Sequence, residues 1–87
     1  METQPIKVYG TSWCGDCRRA KAVFAGLQVP YRWIDIDQNP QAAAFVKQVN
    51  RSLRRVPTII FPDGTILVEP ESDTLCAKLD KFQTQRD

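Results

Sequence analysis

Cys14 and Cys17 stand three residues apart, just after a short apolar run, Ile6-Lys7-Val8-Tyr9, and just before a helical pattern. If the first turn of a helix holds both, their sulfurs lie on neighbouring corners and can bond to each other. Cys14 then sits near the helix N-terminus, where unpaired N–H groups and the dipole favour an anion. A thiolate is such an anion, and it is the form that attacks a disulfide. Cys17, one turn in, is expected to be more covered and to stay a thiol until needed. The rest of the chain reads as a scaffold that presents this pair.

Two duller uses of the pair compete with redox chemistry. A structural disulfide across so short a loop restrains the unfolded chain little and contributes little stability. A zinc site wants four nitrogen or sulfur ligands. Only Cys76 remains, some sixty residues on, and the chain has no histidine. A metal or iron–sulfur module would therefore need a dimer that shares two copies of Cys14 and its neighbour. The redox reading is preferred. Cys76 shares a helix face with Leu75 and Leu79 and reads as a buried small hydrophobe.

In chain order, Ile6 to Tyr9 is a strand stopped by Gly10, and Thr11 or Ser12 can cap the helix that follows. Ala20, Val23, Phe24 and Leu27 mark one helical face. Gly26 weakens the end of this helix and Pro30 lies beyond it. Tyr31, Trp33, Ile34 and Ile36 form a second strand, with Asp35 and Asp37 alternating between isoleucines. Asn39-Pro40 is an N-cap followed by proline at the first helical position. Ala42, Phe45, Val46 and Val49 supply the stripe of a second helix, with Asn50 as its stop. Pro57 to Phe61 is a third strand, Pro62-Asp63-Gly64 a turn, and Thr65 to Val68 a fourth strand, so the last two form a hairpin. Ser72 or Asp73 caps a last helix carrying Leu75, Cys76, Leu79 and Phe82, and Gln83 to Asp87 frays. The order β-α-β-α-β-β-α predicts an α/β fold. A right-handed parallel crossover plus a hairpin gives a mixed four-stranded sheet flanked by three helices. Ligands of such sheets bind beyond the carboxyl ends of strands, where Gly10 to Cys14 lies.

Composition narrows the rest. The 87 residues suit one domain spanning 1–87. Twelve basic and ten acidic side chains leave a formal charge of +2, too balanced to predict nucleic-acid or membrane binding. Arg18, Arg19, Arg51, Arg54 and Arg55 fit a solvated face or thiol-anion recognition better than a nucleic-acid surface. Without histidine, imidazole acid–base catalysis is excluded. Three cysteines and no signal-length apolar run at the N-terminus point to a reducing cytoplasm.

The segments Ser12-Trp13-Cys14-Gly15-Asp16-Cys17, Arg54-Arg55-Val56-Pro57-Thr58, Pro62-Asp63-Gly64 and Ser72-Asp73 resemble the glutaredoxin family of the thioredoxin superfamily. The likeness runs from Ile6 to about Phe82 and is greatest to mycoredoxins and similar bacterial proteins. It implies a thioredoxin-like fold, with Cys14 as nucleophile and Cys17 as resolving thiol. It also implies a cis Pro57 that places the Val56 backbone beside the sulfurs. Ser72 and Asp73 would bind the terminal groups of a small thiol. Trp13, in the presenting loop, either packs on the partner or covers local core, and Arg55 is a thiol-binding candidate.

The implied function is reduction of protein disulfides or of mixed disulfides between protein and low-molecular-weight thiol. The chain would be monomeric, with no bound cofactor, and mycothiol or glutathione would be co-substrate. A redoxin reduced by a thioredoxin-type reductase and serving ribonucleotide reductase is the alternative within the class. The chain departs from glutathione-using relatives in three places. It has Thr11-Ser12 where a lysine is common, Gly15-Asp16 where Pro-Tyr is common, and Glu69-Pro70 where Gly-Gly is common. Asp16 also sets a carboxylate between the sulfurs, which Arg18, Arg19 or Arg55 could offset.

Overall fold

A computed structural model describes residues 5–86, with side chains placed through residue 81. The elements are β1 (Lys7–Gly10), α1 (Gly15–Leu27), β2 (Arg32–Asp35), α2 (Pro40–Val49), β3 (Thr58–Ile60), β4 (Ile66–Val68) and α3 (Ser72–Arg86). The sheet order is β2-β1-β3-β4. β1 pairs parallel with β2, with Val8 opposite Trp33, and antiparallel with β3, with Val8 opposite Ile59. β3 and β4 close the antiparallel hairpin. This is the expected mixed sheet with three helices.

The twofold alternation of β1 divides the core. Ile6 and Val8 face one layer, where they pack with Ala20 and Phe24 of α1, Ile59 and Phe61, and Leu75 and Leu79 of α3. Tyr9 faces the other layer, with Ile36 and with Ala42 and Val46 of α2. α1 and α3 therefore share one face of the sheet and α2 covers the opposite one.

Several boundaries differ from expectation for local reasons. The cap of α1 is Cys14 itself, not Thr11 or Ser12. Its backbone is extended, and its sulfur accepts the N–H of Cys17. α1 runs through Gly26 to Leu27, before Pro30 as expected, and is closed by Gln28 in the left-handed region (φ 57°); the Gln28 and Val29 N–H groups donate to Ala25 O and Phe24 O. Asn39 caps α2 as expected, accepting the Ala42 N–H at 3.0 Å, with Pro40 opening the helix. Pro57 lies buried just ahead of β3 rather than inside it. Ser72 and Asp73 are the first two residues of α3, not its cap: the Leu75 N–H donates to Glu71 O at 3.0 Å. Cys76 is half-buried on the flank of the Leu75 and Leu79 stripe, not fully enclosed. α3 continues to Arg86 where a frayed end was expected. Asp87 and the side chain of Phe82 lie outside the described residues.

Candidate active site

β1 ends in the glycine that the site requires. A Cβ on Gly10 would stand 2.6 Å from Cys17 Sγ and 2.6 Å from the ring of Trp33. Its absence lets the first turn of α1 lie against the strand end. Three residues of loop then turn the chain into α1, so Cys14 is delivered at the helix N-terminus and Cys17 one turn inside it.

The two thiols are inequivalent. Cys14 is partly exposed, whereas Cys17 is only 1% exposed. Cys14 Sγ accepts the Cys17 backbone N–H at 3.3 Å and lies 3.8 Å from Val56 O, to which it donates. Burial pushes the Cys17 thiol from its ordinary 9.0 up to about 12; the Thr11 N–H opposes the rise, the hydrogen bond and charge of Cys14 add to it, and Lys21 opposes it. Lys21 also rests over the Trp33 ring at 3.7 Å. Asp16 is paired with Arg19, so of the three arginines considered it is Arg19 that meets the carboxylate between the cysteines. Arg18 N donates to Cys14 O at 3.1 Å, one of the first intrahelical bonds.

The second side of the site comes from the segment before β3. The Val56–Pro57 peptide is cis, in agreement with the family resemblance. Thr58 Oγ1 donates to Arg55 O at 2.7 Å and accepts from Asn50 Nδ2 at 3.2 Å. Asn50 also donates to Val46 O at 2.8 Å, so a buried amide fastens this segment to the end of α2. Glu69 N donates to Pro57 O at 2.8 Å, and Arg55 pairs with the Glu69 carboxylate at 3.2 Å. The approach to α3 is thereby tied to the loop beside Cys14.

Ser72 and Asp73 line a cleft of about 490 Å³ between the start of α1 and the start of α3, with Asp16, Arg19, Glu69 and Glu71 also on its walls. The structure thus brings Cys14, Cys17 and Val56 together; Arg55 and Pro57 flank Val56 in the chain, and both bond to Glu69. Ser72 and Asp73 belong to the adjoining cleft. Trp13 is 68% exposed and does not cover core; its indole Nε1 donates to Asp37 at 2.9 Å. Asp37 and Glu69 border the site, through contacts that the sequence did not assign to them. Both act through partners distant in the chain, which no local pattern announces. Hydrogen bonds from Arg54 and then Trp13 hold the Asp37 carboxyl below its usual 3.8. Among the described residues, no group of three or more His, Cys, Asp or Glu side chains could hold a metal ion. Nor is any helix there long and apolar enough to cross a membrane.

A family model described as Glutaredoxin matches residues 6–66, well over half of the chain. The chain belongs to the glutaredoxin family. It is 43% identical over 82 residues to a provisionally named glutaredoxin of Mycobacterium tuberculosis, covering 94% of this chain and 98% of that one. It is 36% identical over 75 residues to mycoredoxin 1 of Corynebacterium glutamicum, covering 86% of this chain and 92% of that protein. Among solved structures, a structural-genomics target from X. campestris superposes with a TM-score of 0.65 at 26% identity, over 87% of this chain and 96% of the other. A glutaredoxin from Brucella melitensis has the same fold, with a TM-score of 0.65 at 21% identity, over 99% of this chain and 89% of its own. As a glutaredoxin-family member the chain falls among thiol–disulfide oxidoreductases, and its close Cys14 and Cys17 fit that chemistry.

Proposed function

We propose that this glutaredoxin-family protein reduces protein disulfides and mixed disulfides between protein and small thiol, with Cys14 as nucleophile and Cys17 as resolving thiol. The observation that carries the reading is the unequal exposure of the two sulfurs: Cys14 caps a helix at the surface, while Cys17 is sealed behind it. An anion on Cys14 faces the open N–H groups of the first turn, including that of Cys17. Cys14 thiolate attacks one sulfur of a disulfide. A Cys14 mixed disulfide forms, and the other sulfur leaves as a thiolate that takes a proton. Either Cys17, on losing its proton, attacks Cys14 Sγ and releases the bound thiol, or a second small thiol does so. In the first case the resulting Cys14–Cys17 disulfide is reduced by two small thiols or by a thioredoxin-type reductase.

The Val56 carbonyl beside Cys14 suits pairing with the backbone of an incoming chain. Ser72 and Asp73, with Arg55 at the rim, suit the polar end of a small thiol in the adjoining cleft. Asp16, Glu69, Glu71 and Asp73 crowd that cleft with carboxylates, against Arg19 on its wall and Arg55 on Glu69. A thiol with carboxylates of its own, such as glutathione, meets repulsion there. An uncharged sugar thiol, such as mycothiol, does not. Mycothiol is therefore the preferred co-substrate, and no bound cofactor takes part.

The test is reduction of a mixed-disulfide substrate with mycothiol, glutathione or a thioredoxin-type reductase as alternative electron source. Mycothiol is expected to be the most effective. Cys14→Ser should abolish activity, whereas Cys17→Ser should keep release of a small thiol from a mixed disulfide. Turnover with the reductase and no small thiol would instead identify a redoxin of the kind that serves ribonucleotide reductase. Undiminished activity in Cys14→Ser would overturn the assignment.

A further inference from the structure

The carboxylate of Asp37 joins the two chain segments that flank the reactive sulfur. Trp13 Nε1 donates to its Oδ2 at 2.9 Å, and Arg54 Nη2 donates to its Oδ1 at 2.6 Å. Trp13 precedes Cys14 directly, and Arg54 lies two residues before Val56, whose carbonyl is 3.8 Å from Cys14 Sγ. Asp37 itself sits in the turn after β2, where its N–H donates to Asp35 Oδ1 at 2.9 Å. An indole as exposed as that of Trp13 is held by little packing, so this hydrogen bond decides its orientation. The cluster stands apart from the cleft between α1 and α3, whose walls include none of Trp13, Asp37 or Arg54.

We infer that Asp37 is a positioning residue for protein substrates: it holds the Trp13 indole and the Arg54 guanidinium as a fixed rim against which a polypeptide bearing a disulfide docks on Cys14. The inference rests on the redox reading above. A polypeptide must cover the surface around the sulfur to bring its disulfide into line. A rigid aromatic side chain supplies contact area there without the entropy cost of being ordered on binding. A small disulfide reaches the sulfur without touching the rim. Freed from Asp37, Trp13 and Arg54 must be ordered by each incoming chain, which weakens docking and leaves the exchange step alone.

Single-turnover oxidation of the pre-reduced full chain separates these effects without requiring the physiological electron donor. Insulin serves as the protein disulfide and 2-hydroxyethyl disulfide as the small one. Asp37→Ala should lower the ratio of insulin to small-disulfide efficiency about fivefold, the scale of one exposed charge-assisted hydrogen bond. The loss should appear in the half-saturating insulin concentration, not in the maximal rate. Asp37→Glu should recover most of it. In a Trp33→Phe background, the fluorescence anisotropy decay of Trp13 should gain a fast component in Asp37→Ala. An unchanged substrate ratio, a loss confined to the maximal rate, or unaltered Trp13 motion overturns the inference. Wild-type protein that neither disulfide oxidises overturns the redox reading itself, and this shows before any variant is compared.

Discussion

At the residue scale, the difference between the two thiols comes from their neighbours. Gly10 lets Cys17 press against the end of β1, and the resulting burial keeps Cys17 protonated near neutral pH. Its folded pKa of about 12 lies above the ordinary 9.0. The unfolded chain therefore loses this proton first as pH rises. Stability is intact below pH 9 and falls as pH climbs from there toward 12. Urea titrations between pH 8 and pH 11 should show this fall, and Cys17→Ser should lessen it. In the mechanism proposed above, the same position governs resolution. In a Cys76→Ser background, Cys17 of a Cys14→Ser variant should resist alkylation at neutral pH while Cys14 of a Cys17→Ser variant reacts. Gly10→Ala would drive a methyl group into the Cys17 sulfur and the Trp33 ring. Overpacking of this kind should cost roughly 1–3 kcal/mol in a denaturant titration.

At the scale of elements, the ends of helices and turns hold most of the testable energetics. Gln28 closes α1 in a conformation that glycine adopts more readily. Gln28→Gly should raise stability by about 0.5–1 kcal/mol, read from the urea midpoint. The turn between β3 and β4 is fastened to α3 by Lys78, whose Nζ donates to Asp63 Oδ2 at 2.8 Å and to Thr65 Oγ1 at 3.2 Å. The Lys78 hydrogen bond, followed by that of the Thr65 N–H, holds the Asp63 carboxyl well below its usual 3.8. A lowered folded pKa gives stability that is present above 3.8 and is lost as pH falls below it. Asp63→Asn should flatten the acid side of the stability profile between pH 5 and pH 2. Gly64, with φ of 90°, occupies the turn position where a side chain would be strained.

At the scale of the molecule, charge is sorted around Cys14. Arginines 54 and 55 stand on the segment before Pro57, and Asp16, Glu69, Glu71 and Asp73 gather at the cleft between α1 and α3. A near-neutral total of +2 conceals this division. The carboxylates are largely exposed, so their effect on a charged thiol is screened by salt. Preference for an uncharged thiol over glutathione should therefore shrink as ionic strength rises from about 0.01 M, where the screening length is about 30 Å, to 0.15 M, where it is about 8 Å. Relative rates with the two thiols at each salt concentration measure it directly. A preference indifferent to salt would assign the selectivity to shape instead.

Much of this architecture is carried by local pattern. The alternation in β1, the spacing of Ala20, Val23 and Phe24, and the Asn39-Pro40 start each act over a few residues, so the order of elements was readable in advance. So was the dithiol, because Cys14 and Cys17 are near neighbours in the chain and the turn that places them is local. The helix ends were less legible: a cysteine caps α1 where the helix start packs against the strand end, and a glutamine ends it in a left-handed conformation that glycine more often supplies. Partners across the chain were not legible at all. Trp13 and Arg54 meet Asp37, Arg55 meets Glu69, and Asn50 holds Thr58 only after the sheet has brought four connecting segments to one edge. The sequence by itself determined that a thiol pair would stand at a strand–helix junction, since short-range sterics and hydrophobic periodicity suffice for that. Only the tertiary structure decided which charged groups surround the pair, because long side chains choose among several partners and only the folded backbone sets which lies within reach.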